Sequence, residues 1–177
     1  MFSKLNIQLD SSGWEQLNKQ VDFGEVINGK FMGITYYNLH FPQAAQLYNL
    51  VPERFRKDFY LSLLRITDSI PAHTDSHDRA VINFYIQPDG CVTQFYKLLS
   101  EQPSLSQIKN MTDGHIFKEA ELEKVGEFTA KPNDVYLLNT KAVHSVTSTK
   151  PNLERLAIQL GTGEHSYNDV KDMLNVV

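Results

Sequence analysis

Two histidines and one aspartate carry the chemistry that this sequence can be read for. In IPAHTDSHDRAVINFYI, His73 and Asp75 stand two residues apart, and a two-residue step in extended chain sends both side chains to one side. His144 follows much later, in KAVHSVTSTKPNLERLAIQL. Two imidazoles and one carboxylate make a facial triad, which holds an octahedral metal by one face and leaves three positions open, an arrangement suited to Fe(II) that must take a cosubstrate and O2 together. Closed structural zinc sites lack such openings. A competing register exists, because His77 and Asp78 create an H-x3-H spacing. That spacing converges only on a helix, and Pro71 together with the β-rich run 80–86 argues for extended chain instead. The reading therefore takes His73 over His77.

Arg155 is the fourth element. After His144 the pattern Ser-Thr-Lys-Pro-Asn signals a turn, and a second β segment returns through Arg155. If residue 148 pairs with 153 in a hairpin, Ala157 falls opposite His144, and Arg155 lies on the His144 face, about 7–8 Å away on the diagonal. A short dicarboxylate spans that distance.

These groups need a β scaffold. Strands are expected over residues 31–37, 59–67, 80–87, 92–97, 125–129, 134–138, 142–148 and 153–160, enough for a sandwich or barrel. Helices are expected over 42–50 and 167–177, and more weakly over 104–109 and 118–124, as cover on a sheet face. Within 80–87 the even positions are apolar, whereas Asn83, Tyr85 and Gln87 share the other face; within 153–160, Leu156, Ile158 and Leu160 oppose Arg155 and Gln159. A polar face that recurs in two strands fits either a solvated sheet or a polar-lined cavity.

Composition narrows the class. The chain has 177 residues, 41% hydrophobic and 21% charged, with a net charge of -4, so a folded globular protein is expected and a basic nucleic-acid-binding face is not. The length fits a single domain over 1–177. The lone cysteine, Cys91, points to a reducing, cytoplasmic setting. No apolar run reaches membrane-span length and no secretory leader is visible, so no membrane partner is expected.

HTD, a distal VHSV and the arginine beyond it resemble the iron(II)- and 2-oxoglutarate-dependent oxygenases over roughly residues 58–161. The surrounding LLRITDSIPAHTD is most similar to the aspartyl/asparaginyl β-hydroxylase branch, with prolyl-hydroxylase-like proteins a near alternative. The resemblance implies a double-stranded β-helix core over 58–161, with preceding elements in 1–57 and a terminal helix in 166–177. It further implies Fe(II) held by His73, Asp75 and His144, 2-oxoglutarate held by Arg155, and hydroxylation of an amino acid or peptidyl residue with succinate and CO2 as co-products. An arginine fork suits the distal carboxylate. Many relatives carry a serine two residues beyond that arginine, where this chain has Ala157; Tyr85, Asn83 and Arg79 are candidates to complete the cosubstrate site. Asp75 argues for hydroxylation over halogenation, since halogenases usually need a small residue there.

Other readings stay open at this stage. Arg65 either meets a substrate carboxylate or pairs with a structural acid. His40, His115 and His165 lack a partner at ligand spacing, and Trp14, Tyr36, Tyr37 and Tyr60 read as packing groups. Loops 87–97 and 101–124 are candidates for substrate contacts. A cupin-like metal-binding protein or enzyme that does not use 2-oxoglutarate, and a β-sandwich interaction domain, are the rival classes.

Overall fold

The computed structural model describes residues 1–7, 26–31, 33–38, 45–107, 114–148, 150 and 152–175. Thirteen strands occur among them: β1 (Phe2–Leu5), β2 (Val26–Phe31), β3 (Ile34–Asn38), β4 (Tyr60–Ile66), β5 (Ile70–Thr74), β6 (Ala80–Gln87), β7 (Val92–Leu98), β8 (Leu105–Gln107), β9 (His115–Phe117), β10 (Leu122–Thr129), β11 (Val135–Asn139), β12 (Val143–Thr147) and β13 (Arg155–Thr162). They form two sheets, ordered β1-β11-β6-β13-β4-β3-β2 and β10-β7-β12-β5-β9-β8, in which every pairing is antiparallel.

Alternation along β6 and β13 explains the layering. Ala80, Ile82, Phe84, Ile158 and Leu160 join Leu47, Phe59 and Val170 in one apolar cluster on the outer face of the larger sheet. The covering elements are α1 (Ala45–Tyr48), a 3-10 turn over Glu53–Asp58 and α2 (Tyr167–Met173). Ser166 and Asp169 start α2 with a reciprocal capping box. The opposite face of β6 and β13 is buried too, so the recurring polar face lines an interior between the sheets and is not solvated. Phe2 closes one flank of that interior by packing on Phe95, Phe128 and Tyr136.

Several expectations need correction. Residues 118–124 do not form a helix: a short 3-10 turn over Glu119–Glu121 leads into β10, which pairs with β7. Leu105–Gln107 is a strand paired with β9, where a helix was expected over 104–109. In both, cross-strand pairing overrides a weak local helical pattern. β1, β5 and β9 were missed because each is short and unremarkable in composition. The start of the first expected helix (42–44) and the end of the last (176–177) lie outside the described residues, as do Trp14 and His40.

The expected hairpin of β12 with β13 does not exist. β12 pairs with β5 and β7 in the smaller sheet, and β13 pairs with β4 and β6 in the larger. The connection from β12 to β13 therefore leads from one sheet to the other and does not join neighbouring strands of one sheet. His144 and Arg155 consequently approach each other across the interior.

Gly33 sits at the β2–β3 turn with φ 74°, and a Cβ placed there would stand 2.6 Å from the Cβ of Asp68. Gly33→Ala combines left-handed backbone with overlap, so it is expected to destabilise by about 1–3 kcal/mol. Urea unfolding monitored by tryptophan fluorescence and circular dichroism measures this; a midpoint equal to wild type would contradict it.

Candidate metal centre

His73 and His144 are direct cross-strand partners in the β5–β12 ladder. Both are buried, and their ring centroids lie 4.3 Å apart. Each Nδ1 faces a backbone carbonyl two residues upstream: His73 donates to Pro71 O at 2.8 Å and His144 to Ala142 O at 3.0 Å. A carbonyl only accepts, so Nδ1 carries the proton in each neutral ring and the two Nε2 atoms are the nitrogens left to take a metal. Those two nitrogens point at one oxygen, Asp75 Oδ1, at 3.3 and 3.6 Å. All three potential ligand atoms lie within 4.8 Å of one another.

The Asp75 loop is anchored independently. Asp75 N donates to Thr140 O, and Lys141 Nζ donates to the carbonyls of Asp75 and Ser76. Phe95, the other cross-strand neighbour of His144, stacks on its ring at 5.7 Å. Orienting hydrogen bonds on the non-ligating nitrogens, an anchored carboxylate and an aromatic flank are the supports a metal site requires.

Electrostatics agree with a donor set built for a cation. Burial, reinforced by its neighbour His73 and only partly offset by Asp75, lowers the His144 pKa to about 4. Burial opposes charge on His73 as well, but the Asp75 carboxylate outweighs it and holds that ring above its usual value. Burial acts against the Asp75 charge, yet hydrogen bonding to His73 and the field of His144 keep it below the ordinary carboxylate range. A divalent ion that displaces the proton shared between His73 and Asp75 would meet two imidazole nitrogens and one ionised oxygen, a donor set that fits it.

A cavity of about 50 Å³ joins the triad to the rest of the interior. Besides His73, Asp75 and His144, its wall includes Tyr36, Leu64, Ile70, Asn83, Thr93, Val146, Arg155 and Gln159. Arg155 is 2% exposed. Its Nη1 donates to Thr93 Oγ1 at 3.0 Å and its Nη2 to Tyr85 Oη at 2.5 Å, while the guanidinium lies 4.6 Å above the Tyr85 ring. Both of these partners are hydroxyls, the Cys91 thiol also lies against the guanidinium, and Nε is buried without a hydrogen bond. A guanidinium so enclosed, with no carboxylate against it among the described residues, has the chemistry to receive an anion.

The other sequence candidates divide. Tyr85 orients Arg155, and Asn83 lines the cavity, its Nδ2 3.5 Å from Tyr85 Oη. Arg79 is exposed and reaches the Glu164 carbonyl, away from the cavity. Arg65 projects from the opposite face of β4 and pairs with Glu154 at 2.7 Å, the structural-acid alternative. His77 is exposed, so the H-x3-H register does not form. His165 pairs with Asp58 beside Phe55 and Phe59, and His115 lies in β9 opposite Thr74. Thr93 was missed, although alternation along 92–97 places it on the Phe95 face. Cys91 is buried near Leu153 and Val146, as a small hydrophobe would be.

No protein-family model matches the chain, and no curated protein matches it in sequence. Solved structures do. The epimerase SnoN, in a complex with Fe3+, alpha-ketoglutarate and nogalamycin RO, aligns with TM-score 0.58 and 11% identity over 90% of this chain and 77% of that one. HygX from Streptomyces hygroscopicus, with nickel, 2-oxoglutarate and hygromycin B, aligns with TM-score 0.54 and 14% identity over 92% and 82%. An oxidoreductase of the 2OG-Fe(II) oxygenase family from Burkholderia pseudomallei aligns with TM-score 0.51 and 13% identity over 93% and 86%. Two facing antiparallel sheets and these likenesses define the fold as a double-stranded β-helix. Among the described residues no helix is long and apolar enough to cross a membrane.

Two outcomes test the site. His144→Ala is expected to lower Fe(II) or Mn(II) affinity at least about 100-fold with the fold intact, since it removes a ligand rather than one of its supports, whose loss alone costs 10–100-fold; metal analysis after dialysis, beside a circular dichroism spectrum, reads it. The second concerns Asp78, whose Oδ2 accepts Tyr60 Oη at 2.5 Å. Burial, opposed by that hydrogen bond and assisted by the Asp75 charge, pushes its carboxyl from an ordinary 3.8 up to about 6. The folded state therefore holds this proton more tightly than the unfolded state, so its contribution is full below about pH 4 and is lost as pH rises to about 6. Asp78→Asn is expected to remove about 3 kcal/mol of that loss, which denaturant titrations of metal-free protein between pH 4 and 7 compare directly.

Proposed function

We propose that the protein is a non-haem Fe(II)- and 2-oxoglutarate-dependent dioxygenase that hydroxylates an amino acid or a peptidyl residue. The observation that carries this reading is Arg155: a buried guanidinium without a carboxylate partner among the described residues, facing the same small cavity as the triad. A cupin-like metal protein with no anionic cosubstrate has no use for such a group, and burying it unpaired costs stability.

His73, Asp75 and His144 would hold the iron, which when bound supplies O2 activation and the oxidation of substrate coupled to decarboxylation of 2-oxoglutarate to succinate and CO2. The chain's own part is positional. Carbonyls of Pro71 and Ala142 fix both imidazoles, and Thr93 and Tyr85 hold the guanidinium plane so that its free edge meets the distal carboxylate of 2-oxoglutarate. These two hydroxyls fill the role that a serine at position 157 would have; Ala157, fully buried, keeps the space beside them open. Ile34, Leu64, Ile66, Ile70 and Val146 form an apolar wall that excludes water from the reacting centre.

Sequence wording supports the β-hydroxylase-like branch, over one unit spanning residues 1–177. A reducing cytoplasm, suggested by the single Cys91, suits a ferrous centre. The similar solved structures hold nogalamycin RO and hygromycin B, which supports a small molecule as substrate. Because SnoN is an epimerase, product analysis has to separate hydroxylation from epimerisation.

Succinate release with Fe(II), ascorbate and 2-oxoglutarate tests the assignment. Arg155→Met is expected to raise the KM for 2-oxoglutarate about 10–100-fold, the loss of a charge-assisted pair worth about 1.5–3 kcal/mol, with metal content unchanged. Full activity in His144→Ala, or no 2-oxoglutarate consumption by metal-loaded wild type, would contradict the reading.

A further inference from the structure

A second polar cluster borders the cavity, with Gln159 and Asn83 on the cavity wall and Asp78 behind Gln159. Along the inner face of β13 the chain presents Arg155, Ala157, Gln159 and Gly161. Gln159 is four residues from Arg155, roughly 13 Å along the strand. It stands opposite Ser62 on β4 and Asn83 on β6, so three polar residues form one row across the larger sheet. Gln159 and Asn83 line the cavity and are 2% and 4% exposed.

Asp78 completes the cluster. Gln159 Nε2 lies 3.5 Å from Asp78 Oδ2, which already accepts Tyr60 Oη. That direction orients the amide of Gln159, because a flip would set its oxygen against the carboxylate. Four buried atoms are then left without a partner: Gln159 Oε1, Asn83 Oδ1, Asp78 Oδ1 and Ser62 Oγ. Three are pure acceptors and the fourth can accept. Nearby cations are engaged elsewhere: Lys141 on the carbonyls of Asp75 and Ser76, and Arg79 on that of Glu164.

The cluster and Arg155 flank the triad from opposite ends. Arg155 is bonded to Thr93, the cross-strand partner of Val146, one step beyond His144 on the inner face of β12. At the other end, Thr140 accepts from Asp75 N through its carbonyl and donates from its hydroxyl to Asp78 O.

Resting on the oxygenase reading, we propose that Gln159, Asn83 and Asp78 form the substrate subsite, and that it recognises a protonated primary amine. An ammonium group brings several donors and one positive charge, matching the two orphan amide oxygens on the wall, Gln159 Oε1 and Asn83 Oδ1, and the charge of the Asp78 carboxylate behind Gln159; an internal peptide amide brings a single N–H. Free amines or free amino acids, with the amino group in this subsite, are therefore the substrate class. The raised pKa of Asp78 agrees, since a buried carboxyl without a counter-cation gains most from one.

The test uses Mn(II)-loaded full-length protein, with and without saturating 2-oxoglutarate, and three probes of one chain length: butylammonium, butyrate and butanol. Paramagnetic broadening of probe resonances reports binding near the metal. Selective broadening of butylammonium is expected, and Gln159→Met and Asp78→Asn should each weaken it about tenfold, the scale of one lost charge-assisted hydrogen bond. With 2-oxoglutarate saturating, so that Arg155 is occupied, equal broadening by butyrate or butanol, no broadening by any probe, or unchanged amine affinity in both folded variants would overturn the subsite. A thermal shift of the Mn(II) protein by 2-oxoglutarate is read separately. Its absence overturns the oxygenase reading, whereas its presence without amine selectivity overturns this inference alone.

Discussion

The register of β5 against β12 is the constraint on which the rest depends. His73 and His144 are opposite each other on the inner face of the smaller sheet, and side chains alternate with a period of two. A slip of one residue would send one imidazole outward, into the cluster of Ala72, Phe117 and Val143. Those apolar residues hold the register from outside while Ile70 and Val146 hold it from within. The imidazoles add little cohesion of their own: metal-free, they are two close, desolvated rings sharing one carboxylate. Hydrophobic burial on both faces of the ladder therefore supports an arrangement that is useful only to a cation.

Charge in the interior follows a similar logic. Asp75 and Arg155 carry opposite signs but are not paired, since the guanidinium is held by Thr93 and Tyr85 and the carboxylate by the histidines. Had they met, each would have neutralised the other, and the cavity would present a closed salt bridge with no affinity for metal or anion. The two-sheet architecture prevents this by assigning the triad to the smaller sheet and the arginine to the larger. Their separation is a property of topology, which explains why the crossover between β12 and β13 matters more here than a hairpin would.

That crossover also marks the limit of what the sequence discloses. The meeting of His73, Asp75 and His144 was legible, because an H-x-D step in extended chain and a strand histidine have few alternative uses together; Arg155 faces the same cavity, but from the other sheet and not through the hairpin that its spacing suggested. β6 was legible to the residue, being long and strictly alternating. The partners of β12 and β13 were not, since Ser-Thr-Lys-Pro-Asn is as compatible with a passage between sheets as with a turn; only the burial of both faces of β13 distinguishes them. Thr93 escaped notice because a threonine in a strand is ordinary, and its use depends on an arginine from the facing sheet. Arg65 and Arg155 look alike in sequence, each in an apolar strand, and differ in the face they occupy and in the acid, Glu154, available to one of them.

The small residue at position 157 connects these observations. On the inner face of β13, a hydroxyl two positions beyond the arginine would stand on the same strand as the guanidinium. In its place the structure has Thr93 from the smaller sheet and Tyr85 from β6, each bonded to the guanidinium itself. An anion entering there would meet a single, firmly oriented fork, and its plane and depth would set the selectivity. Ala157 leaves the middle of β13 free of polar atoms, so along that strand Arg155 and Gln159 stand apart, while on β6 the Tyr85 hydroxyl, 3.5 Å from Asn83 Nδ2, links the two ends of the wall. One end is cationic and the other rich in acceptors, and because only hydroxyl and amide groups join them, the charge is separated without being cancelled.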